Sequence, residues 1–179
     1  SVFSGYYTVA TQTDTNCWVG GTSTSVTTTS NWSCGSVPTT SQTVIIDGEM
    51  KVNSPGTFSG VVNSKNFWLK DGGSLTVGTG RLTVTGDLYM DDDASLNISN
   101  GKLLLSGTSV QTLYLGETAH KGAQIKTMEL NNSAGALFGT YGYVNVTDEY
   151  LPTSGSLNSN NRLRLKSTAS GTARIAQGP

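Results

Sequence analysis

The sequence has little with which to build a metal site or a charged binding surface. It contains one histidine and two cysteines, and charged residues make up 13% of its 179 residues. One histidine and two cysteines cannot supply the usual four zinc ligands, and nothing in the sequence suggests a cofactor. Because the net charge is −1, electrostatics gives no reason to expect nucleic acid as a partner. No apolar run approaches the ~18 residues that span a bilayer, so we expect no membrane insertion.

The apolar fraction is also low, at 35%, and Gly, Ser and Thr are abundant. A chain of this composition cannot pack a thick core, but it can support a thin one to which each short strand adds one or two side chains. Disorder is the competing interpretation of such a composition. Regularly spaced Leu, Val and Ile argue against disorder, because disordered segments lack periodic apolar positions.

A repeat of 21 residues runs from Phe67 to Gly107. Nearly every position keeps its chemical type over two periods, as these aligned segments show: Phe67-Trp68-Leu69 with Leu88-Tyr89-Met90, Ser74-Leu75-Thr76-Val77 with Ser95-Leu96-Asn97-Ile98, and Leu82 and Val84 with Leu103 and Leu105. A period in the low twenties is typical of a solenoid, in which each repeat buries its apolar side only by stacking on its neighbours.

Each period holds three short runs of alternating side chains, at 67–69, 75–77 and 82–84, separated by turn residues. This pattern predicts an all-β fold, a right-handed parallel β-helix with three short strands per coil and essentially no helix. About six coils fit between residue 43 and the end of the chain. Equivalent residues of successive coils would lie one strand spacing apart, about 4.8 Å, which would place Ser74 against Ser95.

The segment 1–42 differs from the coils of 43–179 and contains Cys17 and Cys34. Their spacing is not that of a CxxC motif, and we predict a disulfide that closes a loop of about 18 residues and contributes ~3 kcal/mol. A disulfide would indicate an oxidising, extracellular compartment. Trp18 and Trp32 flank the cysteines, and we expect them to pack over the first coil as a cap.

Two stretches carry a family resemblance, residues 17–47 and residues 128–175. The first resembles the W-x-G…W-x-x-G-x-V-P…V-x-I opening of large secreted Bacteroidetes surface proteins. The second is similar to their recurrent L-x-x-N-N-S-A-G-V…L-x-L-K-S…G-T-A-R-I segment. Those proteins are multi-domain, are exported by the type IX secretion system, and serve as adhesins, stalks or carriers. The resemblance therefore implies a secreted or cell-surface structural module.

One feature of those proteins is missing from this sequence. They end in a β-sandwich sorting domain, and nothing after Arg174 resembles one. We therefore expect the chain to be a fragment, or a subunit whose last coil is covered by another molecule. We also expect copies of the chain to associate end to end into rods or filaments.

The outward aromatic residues Trp68 and Tyr89 form the candidate binding site. Both stand between inward pairs of apolar residues, and stacking of the coils would create an exposed aromatic strip. Sugar rings bind such surfaces because an aromatic face offers apolar area with a polar rim. A surface glycan is therefore a candidate partner, and a purely structural ladder is the alternative.

Acidic residues offer weaker candidates. The cluster of Asp91, Asp92 and Asp93 could hold Ca²⁺, although it lacks the Gly and the distant Glu of an EF-hand loop. Asp71 stacked on Asp92 could resemble the acid pair of a retaining glycosidase, which makes a polysaccharide-active enzyme a further alternative. A hydrolytic triad would need His120 as its base, and no GxSxG motif accompanies it. We predict that the protein is not an enzyme.

Overall fold

The computed structural model describes residues 14–20, 25–47, 57–70, 72–116 and 122–178. These residues form fourteen strands and one 3-10 turn at Thr29–Asn31. In chain order the strands are β1 (Thr15–Cys17), β2 (Thr43–Asp47), β3 (Thr57–Ser64), β4 (Phe67–Lys70), β5 (Ser74–Val84), β6 (Leu88–Met90), β7 (Ser95–Leu105), β8 (Gln111–Leu115), β9 (Gly122–Asn131), β10 (Ala136–Phe138), β11 (Tyr143–Ser154), β12 (Leu157–Asn158), β13 (Leu163–Leu165) and β14 (Arg174–Ile175).

The strands form two parallel sheets between which the chain alternates. The first sheet has the order β1-β2-β4-β6-β8-β10-β12, and the second has the order β13-β11-β9-β7-β5-β3 with β14 beside β11. Each circuit of the chain therefore adds one strand to each sheet. This is a β-solenoid of about five turns, which confirms the predicted all-β parallel architecture. The circuits lengthen after the regular repeat: Asp87 hydrogen-bonds across 25 residues to Thr112.

The predicted register is confirmed where the repeat is strongest. Leu75 pairs with Leu96 and Ser74 with Ser95 in parallel strands. The hydroxyl groups of the two serines are 2.9 Å apart and hydrogen-bonded, across the expected 21 residues. Each turn therefore lies directly on the previous one through this part of the chain.

The number of strands per turn differs from the prediction. We predicted separate strands at 75–77 and 82–84, but β5 runs unbroken from Ser74 to Val84. The strand passes its corner at Gly80, where φ is 138°. A Cβ on Gly80 would lie 1.9 Å from the carbonyl oxygen of Gly60 in the turn before, and one on Gly101 would lie 2.6 Å from that of Gly80. These three glycines bring the backbones of successive turns close together at the corner, and two strands per turn replace the predicted three.

Rows of apolar side chains fill the interior between the two sheets. In the first sheet, one row stacks a single side chain from each turn, none more than 1% exposed: Val44, Phe67, Leu88, Leu113 and Phe138. A second row beside it contains Ile46, Leu69, Met90 and Leu115. The core is thin, as the composition predicts, and each member rests mainly on its neighbours in the adjacent turns.

The N-terminal segment continues the first sheet and adds two tryptophans to the core. Strand β1 pairs with β2, and Trp18 and Trp32 are 3% and 2% exposed. Their rings meet edge to face with centroids 5.0 Å apart, and the Trp32 Nε1 donates a hydrogen bond to the Val26 carbonyl oxygen at 2.9 Å. Both tryptophans belong to the same apolar cluster as the first turns.

The predicted disulfide between Cys17 and Cys34 is wrong for this structure, in which both residues keep their thiols. The hydrogen bonds of the segment explain the difference. The Cys34 N–H donates to the Asn16 Oδ1 at 3.2 Å, and the Cys34 thiol donates to the Thr15 carbonyl oxygen at 3.1 Å. The backbone N–H of Cys17 is bonded to Ser33 instead. Burial also raises the pKa of the Cys17 thiol, which disfavours the thiolate that forms disulfides.

Candidate functional site

A row of aromatic side chains lies on the outer surface of the first sheet. Trp68 pairs with Tyr89, and Tyr89 pairs with Tyr114 in the next turn. The ring centroids of Trp68 and Tyr89 are 6.1 Å apart at an interplanar angle of 50°. Tyr89 and Tyr114 are stacked, with centroids 4.9 Å apart and planes 5° from parallel. We call these three residues the aromatic ladder.

The sequence pattern identified two members of the aromatic ladder and missed the third. The signal for Tyr114 is present, because the triplet Leu113-Tyr114-Leu115 has the same in-out-in alternation as Leu88-Tyr89-Met90. Tyr114 falls outside the 21-residue repeat because this circuit is longer. Aligning triplets, rather than a fixed period, would have found it.

Two carboxylates fix the polar ends of the ladder. The Trp68 Nε1 donates to the Asp91 Oδ1 at 3.0 Å, and the Tyr89 hydroxyl donates to the Asp87 Oδ2 at 3.1 Å. The other carboxylate oxygen of Asp87 accepts a hydrogen bond from the backbone N–H of Thr112 at 2.7 Å. The rings are therefore held in orientation by side chains of the turns and do not rely on stacking alone.

The Tyr89 phenol provides a pH-dependent prediction. Burial, followed by the charge and hydrogen bond of Asp87, raises the pKa of Tyr89 from 10.0 to about 12. The fold thus favours the neutral phenol, so its contribution to stability is fully present below pH 10 and is lost as the pH rises from about 10 towards 12. We expect Tyr89→Phe to lose less stability over this interval than the unsubstituted protein, measured by urea unfolding. Equal alkaline losses in both proteins would contradict the assignment.

A groove of about 560 Å³ follows the aromatic ladder. Besides the ladder it is lined by Asp91, Tyr141 and Asn160. Tyr114 and Tyr141 are the most exposed rings in this groove, at 44% and 45%. The groove therefore combines open aromatic surface with carboxylate and amide groups.

The three predicted calcium ligands make contacts with different parts of the structure. Asp91 accepts the Trp68 hydrogen bond, and the Asp93 Oδ1 accepts one from the backbone N–H of Gly72 at 2.8 Å. The Asp92 carboxylate lies beside Gly116 of the following turn. Within the described ranges, no group of three or more His, Cys, Asp or Glu side chains could hold a metal ion.

Two of the three residues considered for catalysis, Asp71 and His120, lie outside the described residues. The absence of enzymatic activity stays a prediction. No helix in the described part of the chain is long and apolar enough to cross a membrane.

A second cleft, of about 430 Å³, lies against β9 and β11. It is lined by Lys126, Asp148 and small polar residues, and no aromatic side chain belongs to it. Opposite charges on two partly exposed side chains are typical of a solvated surface. The groove beside the aromatic ladder is therefore the stronger candidate for a binding site.

Fold and groove together define a parallel β-solenoid protein with an aromatic ladder on one outer face. The chain belongs to the family described as a domain of unknown function, DUF8693, which matches residues 17–131. The match contains the whole aromatic ladder and ends with β9. No curated protein and no solved structure matches the chain.

Proposed function

We propose that this chain is a rigid structural module, a right-handed solenoid segment of a secreted or cell-surface bacterial protein. The continuous parallel stacking of turns supports this proposal. Every turn is hydrogen-bonded to the next along the axis, so bending the solenoid would break pairing on one side. Export, including the type IX route, rests on the resemblance to Bacteroidetes surface proteins, since the disulfide that would have supported it is absent.

The exposed apolar residues of the last turn favour association end to end. Leu165 in β13 is 41% exposed and Ile175 in β14 is 58% exposed. In the described part of the chain, β13 has a sheet neighbour on one side only. Unpaired strand edges with apolar side chains bind other strands readily. A second copy of the chain is the partner that we propose for this end.

The length of the particle in solution distinguishes a single chain from an end-to-end assembly. About five turns at ~4.8 Å per turn span only about 24 Å, so one chain is not elongated, and its radius of gyration should be near ~16 Å. We expect small-angle scattering to show growth in one dimension as protein concentration rises. The double variant Leu165→Lys, Ile175→Lys should remain monomeric, whereas Val110→Lys, at a 55% exposed position elsewhere, should still associate. A monomer at every concentration would contradict this partnership.

A second function, binding of a surface glycan, is favoured by the groove beside the aromatic ladder. Open tyrosine rings next to carboxylate and amide groups are the combination that sugars require. On an array of neutral oligosaccharides we expect binding that falls about tenfold in Tyr114→Ala, because an apolar contact of this size is worth about 1.4 kcal/mol. Val110→Ala, with comparable exposure, is the control. Unchanged binding by Tyr114→Ala would make the ladder purely structural.

A polysaccharide-active enzyme is the alternative that the carboxylates suggested. This alternative predicts that the protein turns over a polysaccharide and that Asp92→Asn abolishes the turnover. We propose a non-enzymatic role, because three carboxylates of this region, Asp87, Asp91 and Asp93, each accept a hydrogen bond from an aromatic side chain or a turn.

A further inference from the structure

Most faces of the aromatic ladder are already covered. Trp68 lies between Ile45, its partner in the preceding turn, and Tyr89. Tyr89 lies between Trp68 and Tyr114, onto which it stacks in parallel. A sugar could therefore reach only the edges of Trp68 and Tyr89, and stacking requires a ring face.

Tyr114 is different because a glycine follows it in the ladder. Leu113 pairs with Phe138, so the residue opposite Tyr114 in the next turn is Gly139. The backbone N–H of Gly139 donates to the Leu113 carbonyl oxygen at 2.9 Å, which fixes this position. The outer face of Tyr114 thus has no side chain of the ladder above it.

The backbone does not require glycine at position 139. Gly139 is not among the residues with positive φ, so a residue with a side chain could adopt its conformation. A Cβ at this position would lie 3.1 Å from the Tyr114 Cδ1, directly against the ring. Glycine at position 139 therefore leaves one face of the Tyr114 ring uncovered. The backbone conformation at this position does not itself require glycine.

Polar groups surround this uncovered face. Asn160 lines the same groove, and its Nδ2 donates to the Phe138 carbonyl oxygen at 2.6 Å, which leaves the amide oxygen as an acceptor for a ligand. Thr140 and Tyr141 supply hydroxyl groups to the same part of the groove. Asp91 is the charged residue that lines it, and its carboxylate disfavours an anionic ligand.

We propose that one pyranose ring of a neutral glycan stacks on the outer face of Tyr114, in the space that Gly139 leaves open. This inference rests on the proposed glycan-binding function and narrows it to one sugar subsite at one end of the ladder. The hydroxyl groups of the sugar meet Asn160 and Tyr141, and uronic acid or sulfated sugars are rejected.

The test uses hexasaccharides of β-1,4-linked glucose, mannose and xylose, with polygalacturonate as the anionic comparison. The decisive variant is Gly139→Tyr, which extends the ladder by one ring and covers Tyr114. We expect it to fold, because position 139 does not have a positive φ and its Cβ requires the Tyr114 ring to move by only a few tenths of an ångström, while the new ring extends into the open groove. Its affinity should fall about tenfold or more. Tyr114→Ala should lose as much, and Trp68→Ala should change affinity by less than about threefold. Thermal unfolding of each variant separates lost binding from lost structure.

The outcomes distinguish this inference from the function on which it rests. Retained affinity in a folded Gly139→Tyr protein, with affinity lost in Trp68→Ala, would place the sugar elsewhere on the ladder and overturn the subsite while keeping glycan binding. Binding of polygalacturonate in preference to the neutral hexasaccharides would overturn the specificity. No binding of any of these glycans by the unsubstituted protein would overturn both. If Gly139→Tyr fails to fold, Gly139→Ala, whose methyl group meets the same ring face, must show the loss of affinity or the proposal fails.

Discussion

Replacing Gly80 with alanine is expected to lower the free energy of unfolding by about 3 kcal/mol, since two independent costs add. An alanine at a φ of 138° costs about 1–3 kcal/mol. Its Cβ would also lie 1.9 Å from the carbonyl oxygen of Gly60, and forced displacement in a packed region costs about 1–3 kcal/mol. The atom in the way is backbone, and Gly60 is paired with Gly80 in the sheet, so it cannot withdraw without disturbing the pairing of β3 with β5.

Two other glycines separate these costs. Gly35 has a φ of 63° and no atom within 4 Å of a Cβ built on it, so Gly35→Ala measures the cost of a positive φ without a steric clash. Gly171 has neither a positive φ nor a close neighbour, and Gly171→Ala should change stability by less than about 0.5 kcal/mol. Urea unfolding of the three variants gives the comparison. A Gly80→Ala protein no less stable than Gly35→Ala would mean that β3 moves away from β5 at little cost.

Most of the fold could be predicted from the sequence because one short interval is nearly periodic. In a solenoid, a shift of one period places residues such as Leu75 and Leu96 in contact, so that sequence spacing translates directly into register. The same reasoning correctly paired Ser74 with Ser95 and Trp68 with Tyr89. No comparable rule gives the number of strands per turn, because glycine at a corner can end a strand or, as at Gly80, let it continue.

The site could be predicted only in part because it lies where the period changes. Tyr114 and Gly139 follow the lengthening of the circuits, and a fixed interval of 21 residues passes over them. Gly139 also gives no sequence signal of its own, because its effect is to leave the Tyr114 ring face uncovered. The cysteine prediction failed for another reason: the Cys34 thiol donates to the Thr15 carbonyl oxygen and burial disfavours the Cys17 thiolate, and no spacing rule describes either effect.

Truncation of Phe67 should be the most damaging change in the core. Phe67 is fully buried in β4, with Val44 in the turn before it and Leu88 in the turn after it. Phe→Ala substitutions in cores cost about 3–5 kcal/mol, and the higher values occur where the cavity cannot collapse. Backbone hydrogen bonds keep neighbouring turns ~4.8 Å apart, so the turns cannot close over the space. We therefore expect Phe67→Ala to cost about 4 kcal/mol.

The solenoid architecture also predicts which part of the Phe67→Ala protein is destabilised. Because each turn contacts only its neighbours, damage at Phe67 should open the early turns before the late ones. Hydrogen exchange should therefore accelerate in β2, β4 and β6 of the Phe67→Ala protein and change much less in β11. Tyr141→Ala, at a 45% exposed position, is the control and should leave exchange and stability nearly unchanged. Uniform acceleration along the whole chain would mean that all turns unfold as one unit, and a cost below about 2 kcal/mol would mean that the turns slide together over the cavity.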